Sequence, residues 1–413
     1  MRISTRQSFD AGIERLQLRQ RELAEGQQKL TSGKRVERAS DDPAAAARAE
    51  RALAAIGRQE ANWRALDASR NMLTLTEGAL GDANELMQQV RETLVGAGNA
   101  TYSDAERAGL AEQLRSLRDQ LLLTANRADG SGGYLFAGQG AAEPPFVDAA
   151  GGVIFRGTPG ELQAPLDEAM PLSTDGQAAW LAAPSGNGLF ETRVLTAVPG
   201  QAQSWIDAGR VTDPQAFFAA TSPPVVADPD NLDYRIDFAV GAGGTTYTVT
   251  KDGAATALTN VPYVSGQSIE IDGMAFAVSG APQAGEAYEL RVSQPTQSVF
   301  DTLDRVITEL STPLRSGAAV AQGVQRALSE IDGSMASLQS LRSRVGEAMN
   351  RADMIEGRID SQKVAAQTQK SQAEDLDMVE AISSFQNQQT GYEAALKAYA
   401  SVQRLSLFDY VRS

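Results

Sequence analysis

The two ends of this chain carry the same side-chain pattern, and that repetition limits what the chain can fold into. Side chains that are mostly apolar, with a few glutamines, recur at alternating spacings of four and three near the start and again near the end. The positions are Phe9, Ile13, Leu16, Gln20, Leu23, Gln27 and Leu30, then Met378, Ile382, Phe385, Gln389, Tyr392, Leu396, Tyr399 and Gln403. This spacing places the side chains on one seam of an α-helix, which needs a partner helix to bury them. We therefore predict two long terminal helices that act through these seams.

The composition removes most of the usual catalytic chemistry. The 413 residues include no cysteine and no histidine, so thiolate nucleophiles, disulfides and the commonest general base and metal ligand are absent. The glycine-rich stretch 130–140 lacks the spacing of a phosphate loop, and the acidic run 228–237 lacks the glycine and closing glutamate of a calcium loop. We predict that the protein is not an enzyme, with no catalytic residue, no cofactor and no metal site.

The charge is distributed unevenly along the chain. The formal net charge is −15, which argues against binding to nucleic acid. Residues 140–295 contain six Lys/Arg and eighteen Asp/Glu, whereas residues 1–38 contain nine and five. Apolar runs are too short to span a bilayer, and the N-terminus has no apolar signal core. The sequence alone is therefore compatible with a cytosolic protein or with export that needs no cleaved signal.

Helix signals flank the middle of the chain. We predict a first helix from about Ser8 to Leu30 that ends at Gly33, and a long second helix that begins with Asp42 as N-cap and Pro43. Its heptad stripe comprises Leu66, Leu73, Leu80, Met87 and Leu94, with Trp63 on the same seam. A third helix follows a cap at Ser103 or Asp104. After Pro295, helix resumes, breaks at 311–313, and continues with a heptad pattern through 324–359.

The middle of the sequence has strand signals. Short apolar runs predict strands at 234–240, 245–250, 268–271, 274–279 and 287–292, with Asp272-Gly273 as a hairpin turn. Short helices are expected near Trp205 and Phe217. The predicted fold class is a multidomain α+β rod of long antiparallel helices from both chain ends, with a mostly β domain inserted in the middle. The predicted domains are 1–40 with 375–413, 41–138 with 296–374, and 139–295.

Several motifs resemble the flagellin superfamily. Near the start these are Arg2-Ile3-Ser4-Thr5, the run 30–36 (Leu-Thr-Ser-Gly-Lys-Arg-Val) and the run 40–44 (Ser-Asp-Asp-Pro-Ala). Near the end they are 375–382, 392–399 and the closing 405–411 (Leu-Ser-Leu-Phe-Asp-Tyr-Val). That ending, together with 133–138 and Pro145-Phe146, resembles the hook-associated branch of the superfamily. The resemblance covers roughly 1–146 and 296–413 and is weak between them.

The resemblance implies a structural role in the bacterial flagellum. Proteins of this branch join the hook to the filament as a homo-oligomeric ring, with the first hook-associated protein below and flagellin above. They are exported through the flagellar type III apparatus, usually with a cytosolic chaperone on the C-terminal helix, and therefore act outside the cell. Neither a membrane nor nucleic acid is an expected partner.

We expect the terminal seams to form the assembly interface by coiled-coil packing and to become ordered only when subunits meet. The candidate interface residues are Ile3, Phe9, Ile13, Leu16, Leu23, Leu30, Ile382, Phe385, Tyr392, Leu396, Tyr399, Leu405, Leu407 and Phe408. Two alternatives stay open at this point. One is a filament flagellin, and the other is a secreted enzyme or adhesin carried by the β domain.

Overall fold

Long helices from both chain ends flank a β-rich middle in the computed structural model, which confirms the predicted α+β class. The structure describes residues 5–99, 102–141, 143–196, 204–221 and 233–411; the side chains of 5–9, 233 and 402–411 are outside that description. The helices are α1 (Thr5–Ser32), α2 (Pro43–Ala97), α3 (Asp104–Ala125), α4 (Gln177–Leu181), α5 (Pro214–Thr221), α6 (Val299–Ser311), α7 (Gly317–Glu374) and α8 (Met378–Val411).

The helix boundaries follow from local capping chemistry. Asp42 accepts a hydrogen bond from the Ala45 N–H at 3.0 Å, and α2 begins at Pro43 as predicted. The Ser103 hydroxyl and the Glu106 carboxylate form a reciprocal capping box at the start of α3. Hydrogen bonds from the backbone N–H and the hydroxyl of Ser103 to that carboxylate lower the pKa of Glu106. Each cap satisfies amide groups that a helix end otherwise leaves unpaired.

The heptad stripes of the two longest helices form the helical core, as predicted. Side chains at 66, 73, 80, 87 and 94 of α2 are buried, as are those at 338, 345, 352 and 359 of α7. Ion pairs join Glu77 to Arg342 at 2.7 Å and Arg91 to Asp332 at 2.8 Å, so the two helices run antiparallel there. The prediction for Trp63 is wrong. Its side chain is 45% exposed, because it lies on the flank of α2 beside the buried row rather than in it.

Within the described residues, the strands of the middle region form four sheets, of two, six, four and two strands. The strands are β1 (Phe146–Ala149), β2 (Gly152–Phe155), β3 (Ala183–Pro184), β4 (Phe190–Thr196), β5 (Ser204–Ile206), β6 (Arg210–Val211), β7 (Asp233–Gly241), β8 (Gly244–Lys251), β9 (Ala254–Ala255), β10 (Val261–Pro262), β11 (Ser268–Ile271), β12 (Met274–Gly280), β13 (Ala287–Val292) and β14 (Pro295–Gln297). The largest sheet has the order β10-β8-β7-β13-β4, with β9 on β8, and all its pairings are antiparallel.

The second sheet faces the first across a shared apolar core. β12 pairs with β11, β5 and β6, and the Asp272-Gly273 turn joins β11 to β12 with positive φ at both residues, as its sequence predicts. Phe190, Tyr234, Phe276 and Tyr288 are among the largest side chains of the core. The short helix expected near Trp205 is wrong, because that residue lies in strand β5 opposite Ser279.

Two ionic networks, each centred on one buried side chain, join the β-rich region to the helices. Arg118 of α3 bonds Asp304 of α6 at 2.9 Å and also binds Asp148 of β1, and its guanidinium lies over the Phe300 ring. The hydrogen bond from Arg118 lowers the pKa of Asp148. Glu330 of α7 is 1% exposed and accepts hydrogen bonds from the side chains of Thr302, Gln297, Arg305 and Arg326.

The chain divides into two compact units. One comprises residues 1–64 and 354–413, and the other comprises residues 65–353. These divisions fall inside α2 and α7, whereas the predicted divisions fall between helices at about 40 and 375. The three predicted domains remain a prediction about which parts act together in an assembly.

Candidate functional site

The two terminal helices pair with each other along much of their length. A Cβ atom placed on Gly12 of α1 would lie 3.4 Å from the ring of Tyr399 in α8, and one placed on Gly26 would lie 3.4 Å from the ring of Phe385. Rising numbers on α1 therefore meet falling numbers on α8, so the pair is antiparallel. Because glycine has no side chain, these two positions let the aromatic rings of α8 approach the α1 backbone.

The side chains between the helices fall into two groups. Six predicted interface residues are partly buried in the pair, namely Leu16, Leu23, Leu30, Phe385, Tyr392 and Tyr399. Ile13, Ile382 and Leu396 lie on the outer side and remain 41%, 45% and 41% exposed. On each helix, the row of side chains that faces the partner helix thus agrees with the predicted seam at every second position. At the positions between, it lies one residue away from the predicted seam.

The remaining predicted interface residues cannot be placed. Ile3 lies outside the described residues, and the side chains of Phe9, Leu405, Leu407 and Phe408 do too. Among the side chains described at 10–32 and 378–401, none is fully buried. The described part of the terminal pair therefore buries few apolar side chains and leaves several others exposed. Whether these helices are disordered in a free subunit stays a prediction.

The two helix breaks next to the terminal pair are bonded to each other. Gly33 has a φ of +71° and ends α1, and its carbonyl accepts the Leu376 N–H at 2.9 Å. The Arg35 N–H donates to the Glu374 carbonyl at 2.7 Å, and the Arg35 guanidinium donates to the Ala373 carbonyl at 2.8 Å. A cation on the last carbonyls of α7 is favoured by the helix dipole. These contacts give a physical reason for the Gly-Lys-Arg motif, which joins the two helix breaks. Sequence reasoning missed this role.

Neither a metal site nor a membrane span is found in the part of the chain that the structure describes. No group of three or more acidic side chains there converges as metal ligands do. No helix there is both long enough and apolar enough to cross a bilayer.

Both ends of the chain match models of flagellin helical regions. The bacterial flagellin N-terminal helical region matches residues 3–141, and the bacterial flagellin C-terminal helical region matches residues 328–411. These ranges contain the terminal pair, the bonded helix breaks and much of α2 and α7.

Curated relatives extend the match to the whole chain. Flagellar hook-associated protein 3 of Salmonella typhimurium is 36% identical over 152 residues, which cover 37% of this chain and 48% of that protein. The protein of the same name from Escherichia coli is 24% identical over 414 residues and aligns over 99% of both chains. The flagellar filament 41 kDa core protein of Borreliella burgdorferi is 31% identical, but over only 29% of this chain.

Solved structures give the same result for the fold. The crystal structure of hook-associated protein 3 from Legionella pneumophila aligns with a TM-score of 0.69 at 26% identity, over 77% of this chain and 97% of that one. FlgL of Xanthomonas campestris, at 24% identity and a TM-score of 0.65, supports the fold. A chain with paired terminal helices and both flagellin helical regions belongs to the flagellin superfamily. Within that superfamily, the match along the full length places it in the hook-associated protein 3 family.

Proposed function

We propose that this chain is a non-enzymatic structural adaptor at the hook–filament junction of the bacterial flagellum. The observation that carries the proposal is the alignment with hook-associated protein 3 over 99% of both chains. The filament protein of Borreliella burgdorferi, by contrast, matches only 29% of this chain. Fold alone does not define function. The proposed mechanism of assembly is therefore argued from the side chains of the terminal pair.

The terminal helices supply the contacts in this mechanism. The outer faces of α1 and α8 present Ile13, Ile382, Leu396 and Val379, the last of which is 82% exposed. Burial of apolar surface stabilises association by roughly 25 cal/mol per Å². We infer that these faces pack on like helices of neighbouring copies in a ring, of the first hook-associated protein below, and of flagellin above.

Export is the second part of the proposal. A terminal pair with few buried side chains can be opened at low cost, which suits passage through the type III apparatus without a cleaved signal. A cytosolic chaperone would cover the apolar face of α8 until then. The protein would end in the extracellular part of the flagellum, and its acidic middle region would stay hydrated there.

Deletion of the gene tests the adaptor role. Cells without the protein should retain hooks but shed flagellin as monomer, and the full-length chain should restore filaments. A chain that lacks 376–413 should fold through its trunk, as circular dichroism would report, yet fail to restore them. Restoration by the truncated chain would contradict the proposal.

The same material separates the two alternatives. A filament flagellin would grow long polymers from seeds of itself, so seeded growth of the purified chain without a second protein would favour that function. A secreted enzyme or adhesin would leave filament assembly intact in the deletion strain. The match to the filament protein covers 29% of this chain, against 99% for hook-associated protein 3, and no observation favours an enzyme or an adhesin.

A further inference from the structure

A cavity of about 290 Å³ lies where the β-rich region meets α6 and α7. β4, β5 and β13 form one side, and the last turn of α6 with the first turns of α7 forms the other. Its wall includes Val194, Ser204, Glu286, Tyr288, Glu309 and Ala319. The size is at the low end of small-molecule sites, so a ligand would have to be small. The cavity lies within the unit 65–353 and is remote in sequence from the terminal pair.

Glu286 is a buried carboxylate without a cation. The side chain is 3% exposed, and one of its oxygens accepts hydrogen bonds from the Ser204 hydroxyl at 2.6 Å and the Gln283 N–H at 3.1 Å. The Ser204 hydroxyl is also 2.6 Å from the Tyr288 hydroxyl. Both side-chain groups are neutral, and the described residues place no arginine or lysine nitrogen within 4.0 Å of the Glu286 carboxylate.

The neighbouring buried carboxylates, in contrast, form ion pairs. Glu289 is 4% exposed and pairs with Arg193 at 2.5 Å, and Glu330 pairs with two arginines. A buried carboxylate without a partner is costly, which is why such groups are almost always paired. Glu286 therefore differs from the neighbouring buried carboxylates, which are paired with arginines.

A second carboxylate in the same wall is also incompletely satisfied. The Oε2 atom of Glu309 is buried and accepts no hydrogen bond, although an Arg315 nitrogen lies 3.4 Å away. A Cβ atom on Gly323 would overlap this oxygen, so the glycine leaves the room that the carboxylate occupies.

Three arginines line the cavity, and each already pairs with a glutamate: Arg193 with Glu289, Arg315 with Glu309, and Arg326 with Glu330. Among the described residues, Glu286 is the lining carboxylate that pairs with no arginine. Val194 and Ala319 add an apolar part to the wall.

We propose that this cavity binds a small aliphatic amine, with an ammonium group on the Glu286 carboxylate and the methylene chain against Val194 and Ala319. The ammonium donates to Glu286, and in a diamine the second nitrogen would donate to the Oε2 atom of Glu309, which accepts no hydrogen bond. Ammonium groups offer three donors, which match the Glu286, Ser204 and Tyr288 oxygens.

Titration calorimetry of the full-length chain with 1,5-diaminopentane tests this site. The diamine should bind, while pentane-1,5-diol, which has the same length and no charge, should not. Glu286→Gln should weaken diamine binding at least tenfold, and Glu309→Gln should weaken it less. Glu270→Gln, which removes the same charge from an exposed position on β11, should leave the affinity unchanged. Circular dichroism checks that each variant is folded.

A lysine-containing peptide, acetyl-Gly-Lys-Gly-amide, distinguishes a free amine from the lysine side chain of another protein. Binding of the diamine alone assigns the cavity to free amines, and binding of both extends it to a presented lysine. No binding of either probe by the wild-type chain, or equal binding of the diol, would overturn the proposal. So would an unchanged diamine affinity in folded Glu286→Gln. None of these outcomes bears on the junction role, which the deletion strain tests separately.

Discussion

Leu396→Asp separates the stability of the free chain from its ability to assemble. Leu396 lies on the outer side of α8 and is 41% exposed, so about three-fifths of the side chain is already covered. Full burial of a leucine is worth roughly 1.5–3 kcal/mol, so loss of its present contacts should cost the free chain about 1–2 kcal/mol. That cost falls on the terminal pair, and the helical core around α2 and α7 should be unaffected.

Assembly should be affected far more strongly. Burial of the remaining two-fifths of Leu396 would be lost, at about 1 kcal/mol per copy, and an unpaired aspartate in a packed seam adds a few kcal/mol. The total of several kcal/mol per copy is repeated around a ring, so incorporation should fail.

The assay combines urea unfolding of the purified chain with swimming of a complemented deletion strain. Leu396→Asp should retain the main unfolding transition and abolish swimming, whereas Leu396→Met, which keeps an apolar side chain of similar volume, should swim normally. Normal swimming with the aspartate variant would refute the assignment of this face to assembly.

Three further predictions concern the fold itself. Because the chain has no cysteine, Gly12→Cys with Tyr399→Cys should be joined by a short bismaleimide within one molecule, and a pair moved half a turn around α8 should not. Glu330→Leu should cost about 3–5 kcal/mol in thermal unfolding, because its arginines lose their buried counter-charge; an unchanged melting temperature would contradict this. Arg118 depresses the pKa of Asp148, so that pair stabilises the fold above about pH 4 and loses its effect as the pH falls through the lowered pKa. Arg118→Met should therefore lose less stability than the wild type between neutral pH and pH 2 in a melting series, and parallel curves would count against the pairing.

The sequence predicts the helices well because their signals are local. The cap at Asp42, the glycine at 33 and the heptad rows on α2 and α7 are each decided within one or two turns. The hairpin at Asp272-Gly273 is equally local, since both residues tolerate the positive φ that the turn requires.

The phase of the terminal seam was harder to predict for a physical reason. Alternating spacings of four and three residues identify one side of a helix. They do not decide which of two adjacent rows of side chains on that side faces the partner helix. The row that pairs includes Gly12 and Gly26, which allow close approach yet carry no apolar side chain, so an apolar count passes over them. Trp63 fails for a related reason, because three-residue spacing from Leu66 fits the flank of a helix as well as its buried row.

Long-range contacts account for the other differences. Trp205 is in a strand because β12 supplies its hydrogen-bonding partner, and nothing near it in sequence indicates that pairing. The joint between residues 33–35 and 373–376 likewise depends on backbone groups that are far apart in the chain.

That joint has a mechanical consequence. The segment that follows α1 lies beside the segment that precedes α8, and hydrogen bonds of Gly33, Arg35 and Leu376 join the two segments. Because these hydrogen bonds join the two breaks, a movement of one terminal helix at this point would be coupled to a movement of the other. If the subunit contacts two different assemblies, as proposed above, this joint would let it adjust at a point next to the proposed contact surfaces.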